Sequence, residues 1–196
     1  MQCPDTDQEL LERWQRDGNA ADAHVLVQRH YSRMLNLFYR LTGTRSQAEE
    51  LTQDLFLRLT EQVARGRAIQ QLGAWLNATA LNLWRDRIRR ELRARAKGIT
   101  YSGGDEEIQN LMVSASPVNL EAEVHASLEQ QAVRDAVLRL APKHREVVVL
   151  HHYQGLQYEE IARALGIPVG TVRSRLHYAV DELRARLFPV QEGSHQ

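Results

Sequence analysis

Residues 156–187 read LQYEEIARALGIPVGTVRSRLHYAVDELRARL. Tyr158, Ile161, Ala162 and Leu165 recur at helical spacing and give a short helix one apolar face. Gly166 follows the last apolar turn, where a residue able to take the left-handed conformation can cap the helix, and Pro168 blocks continuation. Gly170-Thr171 starts a second helix, with Thr171 as its N-cap or a first-turn residue. Val172, Leu176, Ala179, Val180, Leu183 and Leu187 make the buried stripe of that helix. Arg173, Ser174, Arg175, His177 and Tyr178 fall outside the stripe, close to the N-terminal end. Two helices joined by a tight turn, the second opening with exposed polar and basic groups, describe a DNA-binding helix-turn-helix. Arginine can bond both acceptors of a guanine edge, and Ser or His can reach a phosphate or a base.

The rest of the chain reads as helical. Apolar residues make up 43% of the 196 and aromatics 6%, while the 11 glycines and 5 prolines cluster in a few places. No run approaches the roughly eighteen uninterrupted apolar residues that span a bilayer, and the acidic start MQCPDTDQELLE does not resemble a signal peptide. A soluble, cytoplasmic protein with no membrane insertion is expected. The single cysteine, Cys3, excludes an internal disulfide framework.

Formal net charge is zero, but the charges come in blocks. Residues 65–97 hold nine Arg/Lys against two Asp/Glu, and residues 98–133 hold six acids and no base. A sum over such blocks hides a basic patch.

Periodicity places helices near 5–17, 20–41, 47–65 and 72–97, the third with Ser46 as N-cap and Glu49 completing a capping box. Four helices with short connections make a compact bundle. Residues 98–119, GITYSGGDEEIQNLMVSASPVN, lack a sustained period and read as a flexible acidic linker. A second domain starts near Leu120 with a helix that stops before Pro142, a further helix through Val147–Leu150, and the helix-turn-helix. The expected class is all-α: two small helical domains, 1–97 and 120–188, joined by the linker and followed by a tail at 189–196.

The fourth helix, AWLNATALNLWRDRIRRELRARAK, sets Arg85, Arg87, Arg89, Arg90, Arg93, Arg95 and Lys97 within thirteen residues. Only Asp86 and Glu91 offset them, so a polyanion is the expected partner, bound more weakly as salt rises. Just upstream, Trp75, Asn77, Asn82 and Trp84 mix rings with amides, a combination suited to stacking and pairing with unstacked bases. Thr79 and Trp75 also fit the apolar stripe of this helix.

These motifs carry a family resemblance. YEEIARALGIP followed by GTVRSRL closely resembles the C-terminal helix-turn-helix of bacterial sigma factors, in particular the small extracytoplasmic-function (ECF) group of the sigma-70 family. Leu140-Ala141-Pro142, Arg145-Glu146-Val147 and Gly155-Leu156 match the approach to it. Trp75-Leu76, Ala80, Asn82, Asp86 and Arg89-Arg90 resemble the family's −10 element helix. Gln47 to Arg58 resembles the family helix that docks on the clamp helices of the RNA polymerase β′ subunit. The resemblance spans roughly 8–97 and 120–188. It departs at Thr60 and Gln47, at Leu72, in the loop ARGRAIQQLG, and at His177 and Tyr178. The loop bears on which −10 base is captured, and His177 and Tyr178 on the −35 sequence.

What the resemblance implies is an alternative sigma factor with RNA polymerase core (β′ clamp helices, β flap), promoter DNA and an anti-sigma factor as partners. Thr171, Arg173, Ser174, Arg175, His177 and Tyr178 would read the −35 element. Asn82, Arg85, Asp86, Arg89, Arg90 and Arg93 would serve the −10 element, and Gln53, Asp54, Leu57 and Arg58 the core enzyme. His144, His151 and His152 share one region, but no cysteine or paired carboxylate at ligand spacing joins them, so no metal and no cofactor is expected. No nucleophile–base pair or phosphate-cradling loop stands out, so no catalysis is expected either. Two rival readings are a stand-alone helix-turn-helix regulator with an N-terminal sensor or dimerisation bundle, and a helical protein-binding adaptor.

Overall fold

The computed structural model describes residues 6–96 and 120–188, and every regular element among them is helical. The expected linker at 98–119, Lys97, Cys3 and the tail at 189–196 lie outside the described residues.

Helices α1 (Asp7–Asp17), α2 (Ala20–Thr42), α3 (Arg45–Ala64) and α4 (Leu72–Ala96) form the N-terminal bundle. A capping box starts α1: the Thr6 backbone N–H donates to Glu9 Oε2 at 2.7 Å, and the Glu9 N–H to Thr6 Oγ1 at 3.3 Å. The side chain of Asn19 accepts from the Ala21 N–H at 3.0 Å and caps α2. Leu11, Leu26, Phe38, Leu55, Leu76 and Trp84 are among the fully buried side chains that fill the space between the four helices.

Helix α3 starts earlier than its sequence suggests. Thr44 is the N-cap, in an extended conformation, and the Ala48 N–H donates to its carbonyl at 3.1 Å. Ser46 therefore lies inside the first turn, and the Glu49 carboxylate accepts from Arg45 Nε at 2.8 Å instead of closing a box. The cause is Gly43, whose φ of 83° ends α2 so abruptly that the next helix begins at once.

The C-terminal half comprises α5 (Leu120–Leu138), α6 (Pro142–Val148), α7 (Tyr158–Leu165) and α8 (Val169–Leu187). Pro142 occupies the first turn of α6, where its missing N–H is no loss. Beyond α6 the chain widens into a π-helical turn, Val149–Tyr153, closed by Gln154 N–H to the Val149 carbonyl at 3.1 Å. A second capping box, Gln157 with Glu160, starts α7. Gly166 ends it at φ 66°, and its N–H donates to the Ala162 carbonyl. Helix α8 begins at Val169 with Pro168 as N-cap, so Thr171 is a first-turn residue.

The two halves touch. Their buried apolar residues form one contiguous cluster that includes Leu41 and Trp84 of the first and Val137, Leu140 and Val147 of the second.

Ion pairs tie α1 to α2. Arg13 grips the buried Asp22 carboxylate through two hydrogen bonds of 2.7 and 3.2 Å. The Arg13 hydrogen bond holds the Asp22 carboxyl below its usual range and outweighs burial, which acts the other way. A depressed folded-state pKa stabilises the fold above the unfolded value of about 3.9 and loses that contribution as pH falls through the folded value. Denaturant melts should find Asp22→Asn less stable than the parent at neutral pH, and the gap should close as pH drops below about 3.9.

Candidate nucleic-acid interface

The start of α8 presents the polar row that its sequence implies. Val172, Leu176 and Ala179 are buried, while Val180, Leu183 and Leu187 are half-buried. Arg173, Ser174, His177 and Tyr178 are exposed, Tyr178 at 64%. Arg175 and Thr171 are half-buried. Ser174 Oγ donates to the Thr171 carbonyl at 3.1 Å, an i−3 bond that leaves its lone pairs outward. Neither Arg173 nor Arg175 has an ion pair among the described residues. His177 Nε2 lies 3.3 Å from Asp181 one turn on, and the Tyr178 ring lies between His177 and His144, with centroids at 6.1 and 6.4 Å. The short first helix supports this row from behind through buried Ile161, Ala162 and Leu165.

Helix α4 divides its surface. Trp75, Thr79, Asn82, Asp86, Arg89 and Arg93 recur at three- and four-residue steps and form one stripe along it. At the upper end Trp75, Thr79 and the exposed Asn82 face Asp54, Leu57, Arg58, Glu61, Gln62 and Arg65 of α3 and the turn after it across a groove of about 650 Å³. The groove joins candidates that the sequence assigned to different partners: Asn82 for a base, and Asp54, Leu57 and Arg58 for core enzyme. Leu57 is 61% exposed, and Gln53 is exposed on the same helix outside the groove.

Lower on α4, Asp86 accepts from Arg89 Nη1 at 2.7 Å, and its carbonyl accepts from Arg90 Nε at 3.4 Å. Asp86 thus steadies two arginines whose guanidinium groups stay in water. Arg93 is exposed as well. Arg87 is engaged by Glu50 at 2.7 Å and Glu91 at 3.0 Å.

Three sequence expectations change. Trp84 is 1% exposed and Asn77 3%, so neither offers a platform or an amide to an unstacked base. Asn77 Oδ1 has no hydrogen-bond partner among the described residues. Arg85, assigned to phosphate, instead makes two hydrogen bonds of 2.8 and 2.6 Å to the Glu146 carboxylate of α6. Helical spacing separates faces but does not say which face meets a second domain. Glu146 itself escaped the sequence reading as a partner for Arg85, since the pair is 61 positions apart. Its only signal was an acid standing directly before the apolar run Val147–Leu150.

No group of three or more His, Cys, Asp or Glu is placed to hold a metal among the described residues. His151 Nδ1 sits 3.0 Å from the Leu156 carbonyl and His144 3.8 Å from Glu182, which gives two of the clustered histidines local partners.

Comparison with known proteins matches each half of the chain to a family model. A sigma-70 region 2 model matches residues 26–94, and a sigma-70 region 4 model matches residues 130–183. The ECF RNA polymerase sigma factor SigL of Mycobacterium tuberculosis is 34% identical over 169 residues, covering 86% of this chain and 90% of SigL. The chain belongs to the extracytoplasmic-function sigma factors of the sigma-70 family. SigE of Mycolicibacterium smegmatis is 36% identical over 159 residues, 81% of this sigma factor, which spans 59% of SigE's length. Two solved structures share its fold at 23% identity. CnrH in complex with the cytosolic domain of CnrY has a TM-score of 0.66 and covers 93% of this chain and 97% of CnrH. RpoE in complex with the anti-sigma factor NepR, from Bartonella quintana, has a TM-score of 0.65 and covers 86% and 98%.

The exposed arginines of α4 have a measurable signature. Each phosphate contact releases condensed counterion, so Arg93→Ala should lower the slope of log K against log salt by about 1 and leave sequence preference unchanged. Titration of the sigma factor–core complex with labelled promoter DNA at several salt concentrations checks it.

Proposed function

We propose that this sigma factor rides on RNA polymerase core and selects promoters by two contacts made at once. The first domain (1–97) takes the −10 element, the second (120–188) the −35 element, and residues 98–119 tether them. Arg173, Ser174, Arg175, His177 and Tyr178, with Thr171 opening the helix, enter the major groove at the −35 element. Support comes from Arg173 and Arg175 lacking an ion pair among the described residues: a guanidinium already free of carboxylate gives up only water when it meets a guanine edge.

At the −10 element the groove between α3 and α4 receives an extruded base beside Asn82. Arg93 and the Asp86-steadied Arg89 and Arg90 take the phosphates, and Arg85 joins them once Glu146 releases it. Gln53, Asp54, Leu57 and Arg58 meet the β′ clamp helices, and the second domain meets the β flap. The polymerase carries out phosphoryl transfer, whereas this chain supplies sequence choice and strand separation, so it acts in the cytoplasm and is not itself an enzyme. No helix among the described residues is long and apolar enough to cross a membrane. CnrH and RpoE were each captured with a partner, NepR being an anti-sigma factor. An anti-sigma factor covering the polymerase-binding surface is the corresponding regulator of this protein.

Transcription in vitro with purified core tests the reading directly. Initiation at a cognate promoter should require both core and this chain. Core alone, or dimeric binding of the chain to a palindrome without core, is the result that overturns it. Within that assay Arg173→Ala should lose about 1–3 kcal/mol of discrimination at the −35 element. Asp54→Ala with Arg58→Ala should reduce retention on core in pull-down while leaving helicity unchanged.

A further inference from the structure

The seam between the two helical domains is built from charge as well as apolar surface. Arg85 on α4 and Glu146 on α6 are joined by two hydrogen bonds, with side chains 23% and 5% exposed. Glu146 drives the Arg85 guanidinium further toward its charged form, against the effect of burial. The next residue along, Arg145, donates to the Leu41 carbonyl of α2 at 2.6 Å and to the Leu138 and Leu140 carbonyls of its own domain. Its guanidinium carbon lies 5.9 Å from the centre of the Trp84 ring. Arg134 donates to the Tyr39 hydroxyl, and Arg40 stands 4.4 Å over the Tyr153 ring. Leu138 packs so close to Gly43 that a Cβ there would lie 2.7 Å from Leu138 Cδ1.

Arg85 belongs to the same arginine row as Arg89, Arg90 and Arg93, which stand in water on α4. A guanidinium that grips a carboxylate with Nε and Nη2 keeps only its end-on Nη1–Nη2 edge, and the carboxylate beside it cancels the charge and repels an approaching phosphate. Glu146 is too buried to be hydrated in place, so releasing Arg85 requires the domains to part.

We infer that the Arg85–Glu146 pair is an intramolecular latch, which holds the free sigma factor closed and in which Glu146 competes with promoter phosphate for Arg85. The closed chain withholds one of its own phosphate contacts, and opening of the seam delivers it. This rests on the proposed reading that the α4 arginines meet DNA phosphate, but the latch itself is testable without polymerase or promoter.

The test uses the full chain with Cys3→Ser and a dye pair on Thr60→Cys and Ala185→Cys, both exposed positions in separate domains. Energy transfer should fall in Glu146→Ala and in Arg85→Ala, with helicity retained. The double charge reversal, Arg85→Glu with Glu146→Arg, should restore it. Affinity of the free chain for duplex DNA should rise about fivefold or more in Glu146→Ala, since the closed population no longer taxes binding, and should not rise in the double reversal, which lacks a cation at 85. Unchanged transfer in both single variants overturns the latch. If a single variant loses helicity, the double reversal decides: recovery of both helicity and transfer upholds the pairing, and recovery of neither overturns it. Failure of transcription with intact transfer changes would instead refute the sigma-factor assignments of the preceding subsection.

Discussion

Burial of Trp84 orients everything else on α4. With that ring 1% exposed, the helix has one rotational setting, and each neighbour's surroundings follow at about 100° per residue. Leu76, Ala80 and Leu83 go inward with it. Asn82, Asp86, Arg89 and Arg93 are turned toward water, beside the groove that Trp75 and Thr79 share with α3. Arg85 is left at the boundary between these faces, where the second domain supplies its carboxylate. The Trp84 ring also underlies Arg145, so one side chain belongs to the bundle core and to the seam. A large aromatic with a flat face can serve both, because its edge packs among aliphatic groups while its face attracts a cation.

Charge organises the molecule at a finer grain than its zero net charge implies. Along α4 the arginines divide by partner. Arg87 is held by Glu50 and Glu91, Arg85 by Glu146, and Arg89 by Asp86 at the solvent edge, while Arg93 is exposed. The acids blunt the row where it faces protein and leave it positive where it faces solvent. On α8 the acids Asp181 and Glu182 come after the first turns and engage His177, Arg184, Arg186 and His144, leaving Arg173 and Arg175 clear of them. Both helices thus show exposed guanidinium groups on one side and compensated charge on the other.

Much of this was legible beforehand because it is local. Gly166-Ile167-Pro168 between two apolar periods can only be a break, and α7 and α8 fall on either side of it. Exposure of Arg173, Ser174, His177 and Tyr178 follows from their being out of phase with Val172, Leu176 and Ala179. The bundle's helices were readable from the same periodicity, with the start of α3 displaced because the break at Gly43 outranked the Ser46–Glu49 pattern. Trp84 and Asn77 were misjudged for a different reason. An aromatic and an amide on a basic helix look alike whether they face bases or a neighbouring helix, and only packing separates the cases.

The amino-acid sequence by itself determined the all-α class, the helix-turn-helix with its outward row, and the concentration of arginine on α4, since each depends on the phase of side chains along one helix. The tertiary structure alone decided which of those arginines is already taken. Arg85 and Arg89 are alike in sequence, one turn apart on one helix, yet the first meets a buried carboxylate from 61 positions away and the second only the exposed Asp86 three positions back. That difference comes from how the two halves of the chain rest on each other, and long-range docking leaves no period in a sequence for a reader to find.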